Sequence, residues 1–297
     1  MRLATILLLG SLMVLAAANC RALELTSNLE REKLVAWCIV PFDARKRGPA
    51  QRAAMLAELG LKRCAYDWRA QHVTEFEEEI LQYKKHGIEY FAFWGRHEAA
   101  FRLFKKYNLH PQIWQSLTDP GRPTQSGNIM AAAASLVPLA LETAELGCKL
   151  GLYNHGGWGG EPANLVAVCK ALHGHGHRHV GIVYNWHHGH NHISDWPSVL
   201  RMMQPYLHCL NLNGMNPGAE PKILSLAQGQ HELAMLRAVI DSNYQGPVGI
   251  IDHQGHLDTK KVLQDNLAGL HWLKSELLAP GKGGSRPTAR AQADESR

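Results

Sequence analysis

The sequence predicts an α/β protein built as a single (β/α)8 barrel. Three observations carry that expectation. Eight short apolar runs recur along the chain with helix-patterned segments between them. Glycine repeatedly stands a few residues before a run, where a helix C-cap needs a positive φ: Gly60, Gly87, Gly147, Gly176 and Gly246. No Gly-rich phosphate-binding fingerprint follows the first run, where the chain reads "VPFDARKRGPA", and this argues against a doubly wound open sheet.

In order, the runs are "LVAWCIV" from Leu34, "LKRCAYDW" from Leu61, "IEYFAFWG" from Ile88 and "LHPQIWQS" from Leu109. They continue with "CKLGLYNH" from Cys148, "HVGIVYNW" from His179, "YLHCLNLNG" from Tyr206 and "PVGIIDHQ" from Pro247. Most are β-branched or aromatic, and several are apolar almost throughout. Such runs suit parallel strands covered on both faces. The segments between them have helical spacing: "FEEEILQYKKHG" places Phe76, Ile80 and Tyr83 on one stripe, and "ELAMLRAVIDSN" and "KKVLQDNLAGLHWLKSEL" behave alike.

The flanks differ from this core. "MRLATILLLGSLMVLAAANCRA" reads as a secretory signal peptide over residues 1–22, cleaved after Ala18 or Ala22; an uncleaved anchor is the alternative. Cys20 raises lipoprotein anchoring, although Asn19 is a poor fit to the small residue expected before it. The barrel is expected over 23–278. The stretch 279–297, "APGKGGSRPTARAQADESR", is expected to be a disordered tail, being rich in Gly, Pro, Ser and charge. No other run is long enough to span a bilayer, so the mature chain is expected to be exported, periplasmic or secreted. The net charge of +5 is spread out, with no basic stripe interleaved with aromatics, so nucleic acid is not an expected partner. The six cysteines include no C-x-x-C pair. Cys38, Cys64, Cys148, Cys169 and Cys209 lie in apolar strand-like or helical runs and are expected to be buried thiols.

In a (β/α)8 barrel, chemistry sits at the C-terminal ends of the strands. Those ends are polar here. They bring Asp43, Asp67, Trp94 and Gln115, then Asn154 and His155, Asn185 and the cluster "HHGHNH", Asn211 and Asn213, and finally Asp252 and His253. The histidine-rich "HGHGHRH" from His173 precedes the sixth run and is expected on the opposite face as a surface turn.

With "GLYNHGGWGGEP", "VGIVYNWHHGHNHI", "CLNLNGM", "QGQHELAMLRAVIDSNYQGPVGIIDHQ" and "DNLAGLHWLK" in view, the chain resembles the xylose-isomerase-like barrels over Leu34 to Leu277. That family includes sugar epimerases, inosose dehydratases and type IV endonucleases. The likeness is to its exported sugar phosphate isomerase/epimerase-like branch. The resemblance implies one divalent metal at the barrel mouth. Its ligands would be Glu at strand five, Asp-x-x-His at strand six, His on strand seven and Glu on strand eight. Here His188 matches the strand-six His, Asn185 replaces the Asp, Asn211 replaces the strand-seven His and Asp252 replaces the Glu. His155 followed by Glu161 resembles the dehydratase-like members. The departures remove anionic ligands.

The resulting expectation is a metal site of His155 and His188, with Asn185 and Asn211 as neutral oxygen donors and Glu161 and Asp252 completing the set. It leans toward Mn, Co, Zn or Fe rather than Mg. Asp252 or Glu161 would be the base, with Asp252 facing the barrel axis. His187, His190, Asn213, Trp158 and His253 are candidate contacts to a small carbohydrate. Trp94, Trp114 and Trp186 are further stacking candidates, with core packing as the alternative. The expected reaction is proton transfer next to a carbonyl, as in an isomerase or epimerase. A ketosugar or inosose-type dehydratase or lyase, and a non-catalytic sugar-binding barrel, are the alternatives. The endonuclease branch is disfavoured by Asn185 and the leader.

Overall fold

A computed structural model describes residues 26–288. The leader expected over 1–22, with Cys20, and the tail residues 289–297 lie outside the described residues. Eight strands close into a barrel in chain order, every neighbouring pair parallel. They are β1 (Leu34–Trp37), β2 (Arg63–Tyr66), β3 (Glu89–Trp94), β4 (Gln112–Ser116), β5 (Leu150–Tyr153), β6 (Val180–Asn185), β7 (Leu207–Leu212) and β8 (Val248–Ile251). A helix of two turns or more follows each strand: α1 (Pro49–Glu58), α2 (Phe76–His86), α3 (Glu98–Tyr107), α4 (Gln125–Glu145), α5 (Pro162–Gly174), α6 (Trp196–Met203), α7 (Glu232–Asp241) and α8 (Thr259–Leu278); a single turn, Gly157–Gly160, precedes α5. All eight apolar runs are strands, each shorter than its run because the run's ends form the loops.

The strands are apolar on both faces because each face meets a different core. Val35, Trp37, Phe91, Trp114, Tyr153, Val183, Cys209 and Ile251 fill the barrel interior. Leu34, Ala36, Ile182, Tyr184, Leu210, Leu212, Val248 and Ile250 pack outward against the helices. The two sets alternate along the strands, as the period-two pleat requires, except that Phe91 and Ala92 of β3 both face the interior where the β2–β3 register shifts.

Local signals set the helices. Thr124 caps α4 by accepting from the Gly127 amide at 3.0 Å, and Asp258 caps α8 by accepting from the Lys260 amide at 3.0 Å. In α2, Glu77, Glu78 and Glu79 occupy the first turn, and Lys84, Lys85 and His86 the last, as the helix dipole favours. Gly87 ends that helix at φ 64°. Gly246 does not take a positive φ; the ring of Tyr244 occupies the space a Cβ would need there. Helix α4 is long and apolar enough to cross a membrane by length and composition, but Ala132, Ala133, Leu136 and Ala140 on it are buried in the outer core.

Two features were not expected. Residues 279–288, part of the expected disordered tail, lie against the barrel. Arg286 donates to the Ala227 and Gly229 carbonyls and sits 5.2 Å over the Trp272 ring, while Glu276 accepts from the amides of Gly281 and Gly283. An arginine within a polar composition found carbonyl partners on the barrel surface. Second, the α2 stripe includes Glu79, fully buried and paired with the equally buried Arg52 of α1. Arg52 also donates to the Arg47 carbonyl at 2.6 Å. The five described cysteines are free and buried, as expected.

Truncating Arg52 leaves the Glu79 carboxylate buried without its partner. Arg52→Ala should therefore lower unfolding stability by about 3–5 kcal/mol, measured as a shift of the urea midpoint; a shift below about 1 kcal/mol would show that water reaches Glu79.

Candidate active site at the barrel mouth

A cavity of about 300 Å³ opens at the C-terminal ends of the strands. Cys38 and Phe42 reach it from beyond β1, Asp67 and Arg69 from β2, Trp94 from β3, Tyr153 and His155 from β5, His187 and His188 from β6, and His253 from β8. A slightly larger groove of about 340 Å³ lies on the outer surface between α3 and α4, around Phe101, Lys105 and Glu142, away from the strand ends.

Four imidazoles dominate one side. The rings of His187 and His188 are 3.7 Å apart, His155 lies 4.7 Å from His188, and His253 lies 5.7 Å from His187. Trp37 supports His187 from the barrel interior at 5.4 Å. Burial comes first for three of them, followed by the neighbouring rings for His187 and by the Lys222 ammonium for His188 and His253, and it favours the neutral imidazole. His187 is held well below the usual histidine range, His253 is lowered, and His188 is pushed down to about 3. The buried Nδ1 atoms of His187 and His253 have no hydrogen-bond partner.

Asp67 faces them. β2 and β6 are four strands apart in an eight-strand barrel, so Asp67 and the His187–His188 pair approach from opposite sides. One Asp67 oxygen accepts from the Val40 amide at 3.3 Å; the other is buried without a partner. Burial, offset in part by the Arg69 charge, raises its carboxyl to about 7. Cys38 and His253 both adopt left-handed backbone conformations, at φ 54° and 53°, which turn the chain at the barrel mouth; the His253 amide donates to the Cys38 carbonyl at 3.2 Å.

Several expected site residues are elsewhere. Asp252 does not face the axis. It continues the outward set of Val248 and Ile250, accepts from the Thr259 hydroxyl and from the Gln254 amide at 3.2 Å, and ties the end of β8 to the start of α8. Burial raises its carboxyl to about 7 as well. Glu161 is exposed; its carboxylate meets His192 at 3.3 Å, away from Asp252. Asn185 and Asn211 form an amide ladder. Asn211 donates to the Asn185 side chain at 2.6 Å, Asn185 donates to the Asn154 side chain at 2.9 Å, and Asn154 donates to the Asn185 carbonyl at 3.1 Å. Their polar groups already hold one another. Asn213 is a loop anchor, donating to the Lys222 carbonyl at 2.9 Å and accepting from the Leu224 amide at 3.2 Å. His190 lies behind His187, 3.2 Å from its carbonyl. Trp158 donates to Gln125 outside the cavity at 2.9 Å. Trp114 fills the barrel interior and Trp186 packs on Trp196, so Trp94 is the one of these tryptophans that lines the cavity.

The donor set expected for a divalent metal is thus dispersed. Among the described residues, no three His, Cys, Asp or Glu side chains are placed to hold a metal ion. The structure joins His155, His187, His188 and His253 in one cavity. It adds Asp67, Arg69, Cys38, Phe42 and Tyr153, which were not chosen from the sequence. Asp67 was visible as a strand-end carboxylate; no sequence signal marked the others.

No family model and no curated protein sequence matches this chain. Solved structures do match in shape. The 3-keto-D-glucoside 4-epimerase YcjR of E. coli is 15% identical, with a TM-score of 0.59 over 82% of this chain and 99% of that one. What this chain shares with them is the shape, a closed eight-stranded parallel (β/α)8 barrel. The IOLI protein with a bound zinc atom is 11% identical, with a TM-score of 0.62 over 82% and 99%. The probable 3-DHS dehydratase AsbF of Bacillus anthracis is also 11% identical, with a TM-score of 0.62 over 79% and 97%.

Two outcomes test this geometry. A Cβ at Gly249 would overlap the Asn211 carboxamide, so Gly249→Ala should cost roughly 2–4 kcal/mol in chemical unfolding. An unchanged midpoint would mean the ladder yields without cost. Asp67 has a folded-state pKa near 7 and an unfolded one near 4. Between those values the folded chain keeps a proton that the unfolded chain has lost, so this residue's contribution to stability is lost as pH rises from about 4 to 7. Asp67→Asn should therefore raise the melting temperature, relative to wild type, by several degrees more at pH 8 than at pH 4. A pH-independent difference would place the carboxyl in water.

Proposed function

We propose that this chain is an enzyme of the sugar isomerase/epimerase type, acting on a small carbohydrate by moving a proton next to a carbonyl. The observation that carries the reading is Asp67. Among the described residues it is the one carboxylate lining the cavity, one of its oxygens has no hydrogen-bond partner there, and its carboxyl is raised to about 7. A carboxyl with a pKa near 7 both takes and returns a proton at neutral pH. His187, His188 and His253 present neutral nitrogen lone pairs, and the faces of Trp94 and Tyr153 suit the apolar C–H side of a sugar ring. Proton transfer on two sides of a substrate carbon needs groups on opposite sides of the cavity, as β2 and β6 supply. The barrels of similar shape act on related chemistry by name, including a 3-keto-D-glucoside 4-epimerase.

The single carboxylate also supports a second reading, dehydration of a ketosugar, which needs one base and one acid; a probable dehydratase shares the fold. Export rests on the expected leader alone.

Incubation with ketohexoses and 3-keto sugars in D2O separates the readings. Deuterium entering the carbon next to the carbonyl, with an isomeric product, is expected for the first; loss of water marks the second. Asp67→Asn should lower turnover at least about 100-fold in either case. Binding without exchange or product would leave a sugar-binding barrel, and full activity in Asp67→Asn would remove Asp67 from the chemistry.

A further inference from the structure

The loop between β7 and α7, residues 213–231, contains no strand and one short turn, Pro217–Ala219. A loop of that length within a compact barrel needs anchors of its own. It reaches the rim of the cavity with two residues. Lys222 places its ammonium 3.4 Å from His188 Nδ1, and Ile223 packs on the interior cluster to which Phe42 and Trp94 also pack. The short turn lies beside the His190–His192 turn of the β6 loop. The half nearer β7 closes on itself. The Gly214 amide donates to the Leu224 carbonyl at 2.9 Å, and the buried Asn213 side chain bonds to the Lys222 carbonyl and the Leu224 amide.

The half nearer α7 depends on groups outside the loop. Ala227 adopts a left-handed conformation at φ 65°, which a non-glycine residue keeps only where its surroundings hold it. The fully buried Glu232 joins the two ends of the loop: its carboxylate accepts from the Met215 amide at 3.1 Å and from the Gly229 amide at 2.8 Å. A buried carboxylate needs a counter-charge. Among the described residues its ion-pair partner is Arg286, 3.4 Å away in the segment beyond α8. The same guanidinium donates to the Gly229 carbonyl and, at 2.7 Å, to the Ala227 carbonyl. One planar fork thus meets the left-handed residue, Gly229 and the carboxylate that joins the loop's ends.

Arg286 is itself held by α8. Its guanidinium lies 5.2 Å over the Trp272 ring, and Trp272 donates to the Gly284 carbonyl at 3.2 Å. Glu276 accepts from the Gly281 amide at 2.8 Å and the Gly283 amide at 2.6 Å. The same helix meets the loop directly through Asn266, whose side chain accepts from the Leu226 amide at 3.1 Å.

We propose that residues 279–288 are a strap that sets the β7–α7 loop against the cavity, with Arg286 as a positioning residue acting on Lys222 and Ile223 through Glu232 and the Ala227–Gly229 carbonyls. The strap orders one wall of the site, while the barrel strands hold one another without it. It stands apart from the carbohydrate reading, because that wall is ordered for any ligand.

Hydrogen exchange of the full-length protein, read by mass spectrometry, tests this. In Arg286→Ala, exchange over residues 213–231 should rise about ten-fold or more while the amides of β1–β8 stay within about two-fold of wild type. The ring-nitrogen NMR signals of His188 should also move, although none of the Arg286 bonds reaches a histidine. Glu276→Ala loosens the strap from the α8 side and leaves every bond between Arg286 and the loop in place, so it keeps the test decisive if Arg286→Ala does not fold; it should raise exchange in the same residues about three-fold or more. Unchanged protection of 213–231 in folded Arg286→Ala, or in Glu276→Ala where the first variant does not fold, overturns the proposal. So do unmoved His188 signals, or a rise spread evenly over the barrel, which would make Arg286 a contact for general stability.

Discussion

Three carboxamides hold the working end of this barrel together. Asn154, Asn185 and Asn211 are buried at the ends of β5, β6 and β7, and each satisfies the next. The Cys209 thiol closes the series by donating to the Asn211 oxygen at 3.5 Å. A buried amide without partners costs about 1–3 kcal/mol, so a ladder of three is stable only if all three strand ends keep their register. The loops that carry His155, His187 and His188 leave from those ends. Gly249 on β8 gives Asn211 its room. The position of the imidazoles is thus a consequence of amide packing one layer below them.

Above the ladder, dryness sets the chemistry. Burial disfavours the charged form of acids and bases alike, and it moves their pKa values in opposite directions. Asp67 rises while His187, His188 and His253 fall, so burial favours the uncharged form on both sides of the cavity. Arg69 and Lys222 stand at its solvent edge.

The arrangement departs from the one that the resemblance to xylose-isomerase-like barrels implied. The acid of strand eight is displaced to the outer layer, where Asp252 fixes the start of α8. The strand-six and strand-seven positions have become amides that bond to each other. The carboxylate in the cavity comes from β2. The barrel shape is shared with solved epimerases and a probable dehydratase.

Strand and helix order followed from the sequence alone, because burial on both faces demands long apolar runs and helices demand a 3.6-residue stripe. The eight runs therefore mapped onto eight strands, and the polar strand ends onto the barrel mouth. His155, His187, His188 and His253 were legible for the same reason, as polar residues where a parallel strand stops. Facing was not legible. On a strand apolar on both sides, neighbouring residues carry no mark of which points inward, so Asp252 and His253 were indistinguishable until the outer core claimed Val248 and Ile250. Nor does an asparagine in a sequence reveal whether its amide meets a ligand or another amide. Asn185 and Asn211 lie 26 residues apart, and only barrel closure, which sets strand register and curvature together, brings them to 2.6 Å.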